Sequence, residues 1–317
     1  MRKPFFKITS DAGNITDSLL EALTELRVED RSGVHSDALE LELADNDKFA
    51  WPTEGAELKV EFGYEDRKRE RSRFVIDQIE HTGPPPAFTV SATSADFTSQ
   101  ARAKRERSWT EAGLTLGDLV SRIASEHGYE AKVQPQGLAD VNLQHVDQAG
   151  QSDLALVADL AKQYGAVFKP VDGVWWVRSY DAIGEPVATI RPGDVATWRA
   201  HFVGRSRLAS VVAHYQDYDL ATRVAVTAGE GEPQKTMDRT FVDEPTALAN
   251  AKAELGRARR EARRLTLQMP GRPDLSSQRV IALAGFRDRV DGNWLVTQVT
   301  HTINKRGYRC RVQCEGI

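Results

Sequence analysis

The sequence predicts a mainly β protein with an α+β insertion: two related β-barrel domains, at residues 1–100 and 188–317, separated by a small helix-containing α/β module at 101–187. Three observations predict it. Apolar and polar residues alternate with period two through much of the first hundred residues, the mark of half-buried antiparallel strands. The period lengthens to that of a helix after residue 108 and returns to two from about residue 190. Finally, FVIDQIEHT at 74–82 is nearly rewritten as WLVTQVTHT at 294–302, so that Gln78 matches Gln298, His81 matches His301 and Thr82 matches Thr302 at one constant offset. Internal similarity of this kind constrains the whole fold.

In the first domain, LTELRVED opens the alternation. In DALELELAD, Leu39, Leu41 and Leu43 fall on one face and Glu40 and Glu42 on the other; in GAELKVEFGY, Leu58, Val60 and Phe62 oppose Lys59 and Glu61. DRSG at 30–33 and HTGPPPAF at 81–88 read as turns, and the charged run EDRKRERSR at 65–73 as a loop. FVIDQIEHT is apolar on both faces at its start, as expected for a barrel strand covered on its outer side. In the middle module, TLGDLVSRIASEHG carries Leu116, Leu119, Val120 and Ile123 at helical spacing between a capping-box start at Thr115 and Asp118 and a stop at Gly128. SDLALVADLAKQYG repeats the design from Ser152 to Gly165, and AVFKPVDGVWWVRS reads as a hairpin turning at Asp172-Gly173. In the last domain, RLASVVAHYQDY, ATRVAVTAG and RRLTLQMPG read as strands, interrupted by one long helix, TALANAKAELGRARREARR, capped at Thr246 after Pro245. QRVIALAGF, NWLVTQVTHT and YRCRVQCEG then follow in the order of GAELKVEFGY, SRFVIDQIEHT and AFTVSATSA. The repeat is therefore read as two copies of one barrel.

A length of 317 residues suits two or three domains. A net charge of −4 gives no overall attraction to nucleic acid or anionic lipid, and the longest apolar runs fall well short of the roughly 20 residues that cross a bilayer. No membrane insertion by this chain is expected, and the start, MRKPFFKITSDAG, does not read as a secretory signal. Cys310 and Cys314, four apart on an alternating strand, would stand about 13 Å apart on one face, too far for a disulfide; they are expected to be reduced thiols.

The motifs that announce enzymes are absent: there is no GxSxG, HExxH, Walker loop or dinucleotide fingerprint. The histidines at 35, 81, 127, 145, 201, 214 and 301 lack ligand spacing, and His81 and His301 are expected to pair with turn backbone. No catalytic, cofactor-binding or metal-binding residue is assigned, and no cofactor. The arginines at 257, 259, 260, 263 and 264 are broken by Glu254 and Glu261, which reads as a salt-bridged helix face rather than a nucleic-acid site. A second cluster, Arg102, Lys104, Arg105 and Arg107, suits a linker or an acidic neighbour. TLGDLVSRIASEHG also looks like the first helix of a LysM-type peptidoglycan-binding module, which keeps a peptidoglycan-binding or peptidoglycan-degrading tail component as the rival reading.

SDALELELAD, WPTEGAELKVEFGY, FVIDQIEHTGPP, RSWTEAGLTLGDLVSRIASEHG, QSDLALVADLAKQYGAVFKP and DGNWLVTQVTHT, in this order over nearly the whole chain, resemble the late control gene D family of contractile-tailed phages. The charged run at 65–73 departs from relatives that carry a short glycine-containing stretch there. The resemblance implies tail-tube-like barrels and a structural baseplate hub in a virion tail or tailocin particle, assembled in the bacterial cytoplasm. It implies as partners two further copies of the chain in a homotrimer, the central spike protein, the tail tube or tube initiator protein and other baseplate proteins, with a tape-measure protein as a further candidate. The repeat gives a physical reason for that role. Two barrels per chain in a trimer present six similar surfaces to a sixfold tube while keeping the threefold symmetry of a spike, with barrel-to-barrel contacts alternating within and between chains.

Overall fold

The computed structural model describes residues 2–11, 13–33, 36–46, 50–94, 100–171, 173–204 and 208–317, with backbone alone at 67–71. In chain order it begins with β1 (Pro4–Ser10), β2 (Gly13–Asn14), α1 (Thr16–Leu20), β3 (Leu23–Arg31), β4 (Ala38–Ala44), β5 (Glu57–Tyr64), β6 (Arg67–Thr82) and β7 (Ala87–Ser94). There follow β8 (Lys104–Trp109), α2 (Leu116–Glu126), β9 (Glu130–Gln134), α3 (Gln136–Ala139), β10 (Val146–Ser152), α4 (Asp153–Gln163), β11 (Ala166–Val171) and β12 (Val174–Ser179). The last stretch holds β13 (Ala188–Ile190), β14 (Thr197–Phe202), β15 (Ser210–Asp217), β16 (Thr222–Gly229), β17 (Gln234–Phe241), α5 (Glu244–Glu261), β18 (Arg263–Pro270), β19 (Val280–Leu283), β20 (Gly292–Asn304) and β21 (Gly307–Gly316). The chain divides into two compact units, one built from residues 1–97, 186–199 and 266–314, the other from 98–185, 200–265 and 315–317.

The first unit is organised by a 13-stranded sheet in which one pattern occurs twice. Six strands of the N-terminal region pair in the order β3-β4-β7-β6-β5-β1, and six of the C-terminal region in the order β14-β18-β21-β20-β19-β13. Each strand has its counterpart at the same place in both chain order and sheet order. One detail departs: β1 runs antiparallel to β5, whereas β13 runs parallel to β19. The charged run at 67–73, read as a loop, is strand, pairing with β5 from Tyr64↔Arg67 to Lys59↔Arg73. Polarity marks solvent contact, and an antiparallel ladder tolerates it on strands that a turn brings together.

The two expected barrels are thus not separate bodies but repeats of one sheet, joined where β20 forks. Its first residues pair with β19, Leu295 opposite Val280, and its second half pairs with β3, from Gln298↔Arg31 to Asn304↔Glu25. Around the join the apolar faces merge: Phe62 meets the His301 ring at 4.8 Å, and buried Asp30 accepts hydrogen bonds from the Ser277 hydroxyl and amide at 2.5 and 3.2 Å. Leu26, Val28, Leu39, Leu41, Val60, Phe62, Trp294, Val299 and Val312 are all buried, each such side chain stabilising by about 1.5–3 kcal/mol. Gly271 is required where β18 ends beside β21, because a Cβ there would lie 2.0 Å from the Tyr308 ring.

In the second unit α2 starts at a capping box, Thr115 accepting from the Asp118 amide while the Asp118 carboxylate accepts from the Thr115 amide, and α4 is capped by Ser152. Gly128 and Gly165 follow the two helices with positive φ. β11 and β12 form the expected hairpin and β9 adds in parallel to β12; Asp172 of its turn lies outside the described residues, as does His35. β15, β16 and β17 make a separate three-stranded sheet covered by α5, with Val211, Ala213, Phe241, Ala247, Ala251 and Leu255 between them. Residues 200–265 therefore cluster with 98–185, whereas the sequence reading grouped them with the last barrel. Alternation identifies a strand but not its sheet. The long helix begins at Glu244, capped by Asp243, whose carboxylate accepts from the Thr246 amide at 2.8 Å.

Candidate assembly surface

Among the described residues no group of three or more histidine, cysteine, aspartate or glutamate side chains is placed to hold a metal ion. The two cysteines are free and buried. Cys310 meets two residues that the sequence did not link to it: its sulfur lies 3.1 Å from His301 Nδ1 and accepts the Arg272 amide at 3.1 Å, while His301 Nδ1 also lies 2.8 Å from the Tyr308 hydroxyl. A cleft of about 1040 Å³ opens beside Tyr64, Met269, Arg272, Tyr308 and Cys310. The Arg272 guanidinium is held by Asp274, which raises its affinity for the proton, and Cys310 is 2 % exposed. The cluster packs the repeat join.

Three of the clustered basic residues, Arg105, Arg107 and Arg257, form ion pairs within the second unit. Arg107 reaches Asp153 at 2.5 Å and Glu126 at 2.8 Å, and Arg105 reaches the same two carboxylates at 3.4 and 2.7 Å, so the acidic neighbours lie within the module. Burial pushes the Asp153 carboxyl up, but hydrogen bonds from Gln148 and His127 and the charges of Arg107 and Arg105 hold it below its ordinary value. On α5, Arg257 pairs with Glu254, which also takes Lys235, and Arg260 lies 3.7 Å over the Tyr180 ring. The salt-bridged face expected of α5 is thus seen at Arg257 and Glu254, while Arg259 and Arg263 bond backbone carbonyls.

One face of the large sheet is polar along β3. Glu25, Arg27, Glu29 and Arg31 alternate along β3 opposite buried Leu26, Val28 and Asp30. Arg27 is bracketed by Glu25 at 3.2 Å and Glu40 at 3.4 Å, and Arg31 bonds Glu29. The face continues across the join, where Asn304 donates to Glu25 at 2.9 Å and Gln313 to Gln298 at 3.2 Å. A wall whose cations are already neutralised holds a polyanion weakly.

The repeated histidines meet side chains. His301 is fully buried with Tyr308, Cys310 and Phe62. His81 is 37 % exposed, 3.0 Å from the Asp45 carboxylate and flanked by Phe88 and the largely exposed Trp51. Nothing local in the sequence separates the two, since the difference comes from what lies against each strand.

Residues 38–307 match the family described as phage tail baseplate hub (GPD). The probable baseplate hub protein of Escherichia phage 186 is 26% identical over 98% of this chain and 92% of its own length. Two solved structures show the same fold. The 43 kDa tail protein of prophage MuSo2 from Shewanella oneidensis has a TM-score of 0.73 at 16% identity, over 98% of each chain. The E. coli c3393 protein, described as a type VI secretion component similar to T4 tail proteins gp27 and gp5, has a TM-score of 0.60 at 14% identity, over 92% of this chain and 73% of that one.

Proposed function

This chain belongs to the phage tail baseplate hub (GPD) family, and from that premise we propose that it acts as the hub by closing into a homotrimeric, pseudo-sixfold ring that adapts a sixfold tail tube to a threefold central spike. The observation that carries the reading is the six-strand order written twice and already joined once within the chain. Three chains supply six such repeats, and a head-to-tail contact that closes after three chains makes a ring. The tube, or a tube initiator, meets the sixfold-like rim, and the spike and other baseplate proteins meet the threefold side. The polar sheet face lines the channel, past which DNA or a tape-measure protein travels. The chain works by assembly and force transmission without turnover, in a virion or tailocin particle assembled in the cytoplasm.

Single-particle electron microscopy of the purified chain at high concentration, with and without the spike protein, tests this. Class averages should show a threefold ring with a sixfold-looking outline. Lone monomers under both conditions would overturn the reading. A cell-wall cleavage assay on the same preparation should show no activity, and cleavage would favour the peptidoglycan-degrading rival.

A further inference from the structure

We propose that the cleft of about 1040 Å³ in the first unit is a docking site for an extended acidic segment of a partner protein. The inference rests on this unit alone and does not require the ring. All of the cleft's lining belongs to residues 1–97, 186–199 and 266–314, so it is contained in one compact body. Its charge runs against that of the chain. The whole chain carries a net charge of −4, yet among the described residues the cleft is lined by five arginines and a single carboxylate. That carboxylate, Asp194, is committed to its own turn, where it accepts the Arg191 amide at 2.8 Å. Arg2 lies 3.7 Å from Asp66, and Arg272 lies 2.7 Å from Asp274. Arg306, Arg309 and Arg311 are exposed, and no carboxylate among the described residues pairs with them.

Arg309 and Arg311 stand two apart on β21, so their side chains leave the same face of the strand about 7 Å from each other. Alternate carboxylates along an extended peptide repeat at the same spacing, and each guanidinium can take a carboxylate through two parallel hydrogen bonds. The nearly buried part of the lining is apolar: Tyr64, Met269 and Tyr308 are 8%, 3% and 5% exposed. A cationic rim around an apolar floor suits a segment in which acidic residues alternate around one apolar anchor. The volume agrees, lying at the top of the roughly 300–1,000 Å³ range of ligand sites. A single-stranded nucleic acid would also answer the charge, but it needs open ring faces on which bases stack. Here the two tyrosine rings are occupied by each other, with centroids 5.2 Å apart, and Tyr308 also meets Phe62 at 6.2 Å. The chemistry of the cleft therefore favours the peptide.

The test uses the full chain at low concentration and a short fluorescent peptide with glutamate at alternate positions around one central phenylalanine. Fluorescence anisotropy should show saturable binding that weakens about tenfold when Arg309→Ala and Arg311→Ala are combined. Arg306→Ala, between β20 and β21, should weaken it by a smaller factor. Arg223→Ala, which removes an exposed arginine from the second unit, should leave binding unchanged. Because the substituted arginines are exposed, urea unfolding of every variant should match that of the unaltered chain. No binding by the unaltered chain, or equal losses at Arg223 and at the cleft, would overturn the proposal. Tighter binding of an oligothymidylate of equal charge, lost in the same double variant, would overturn it in favour of a nucleic-acid strand. The oligomeric state of the double variant at high concentration should match that of the unaltered chain. A change there would make a second copy the occupant and overturn the choice of partner.

Discussion

β6 and β20 carry nearly the same residues and occupy the same place in their repeats, yet they end in different surroundings. Their first halves match: Phe74 and Trp294 are fully buried, and Ile76 and Val296 nearly or wholly so. Their second halves diverge. Val299 and His301 are fully buried, whereas Ile79 is half-buried and His81 is 37% exposed. Burial in the first halves comes from each repeat's own strands, while burial in the second halves depends on a strand from another repeat. In an assembly built of repeats, the exposed copy of a buried motif marks where the next repeat belongs.

The largest effects should leave the two strands indistinguishable, because they fall where the strands agree. Trp294→Ala and Phe74→Ala each remove a fully buried aromatic side chain and should each cost about 3–5 kcal/mol, read from urea unfolding of the monomeric chain. A loss at Phe74 well below that at Trp294 would break the equivalence of the repeats. Asp153→Ala, in the other unit, is the control of similar size: it leaves Arg107 and Arg105 without their shared buried carboxylate and should cost about 3–5 kcal/mol. The folded-state affinity of Asp153 for its proton is lowered, so its contribution is fully present above the unfolded value of about 4 and is lost as pH falls through the folded value. Asp153→Asn should flatten the acid limb of stability below about pH 4 in that unit, and an unchanged limb would remove Asp153 as its cause.

Next in size is the pair that separates the strands. His301→Ala leaves the Tyr308 hydroxyl and Cys310 without that partner inside the core and should cost about 2–4 kcal/mol. His81→Ala, at a half-open surface beside Asp45, should cost less than about 1 kcal/mol in the monomer. Equal losses at the two histidines would mean that the β6 edge is already covered within one chain.

Much of the fold was legible in the sequence because it depends on local chemistry. Thr115, Ser152, Gly128 and Gly165 punctuate helices at the positions their side chains and conformations require, and Leu39, Leu41 and Leu43 show the buried face of β4. What was not legible was partnership. RLASVVAHYQDY alternates as well as any strand of the large sheet, yet β15 pairs with β16 and β17 under α5. The EDRKRERSR run reads as loop from its density of charge, while the backbone of residues 67–73 pairs with β5. The Cys310, His301 and Tyr308 cluster joins residues whose alternation already placed each inward; that signal was present, and only the strand register could bring them together. The repeat alone reported on long-range structure, since each copy describes the other's setting.

The smallest effect is also the sharpest, because it concerns a residue that is identical in both copies. Gln298 accepts from Gln313 at 3.2 Å and lies 3.4 Å from Glu29 across the join, half-buried on the polar face. Gln78 is exposed. In the monomer, Gln298→Ala should cost about 0.5–1.5 kcal/mol, the net worth of a part-buried hydrogen bond, and Gln78→Ala should stay within about 0.5 kcal/mol. In the ring proposed above the inequality should narrow, because a neighbouring copy would then cover Gln78 as β3 covers Gln298. The measurement is the thermal midpoint of each variant at concentrations below and above assembly. A Gln78→Ala penalty that appears only above it would show the second copy of the motif acquiring the surroundings of the first. A penalty that stays near zero at every concentration would leave β6 an edge strand and break the symmetry argument at its most exposed point.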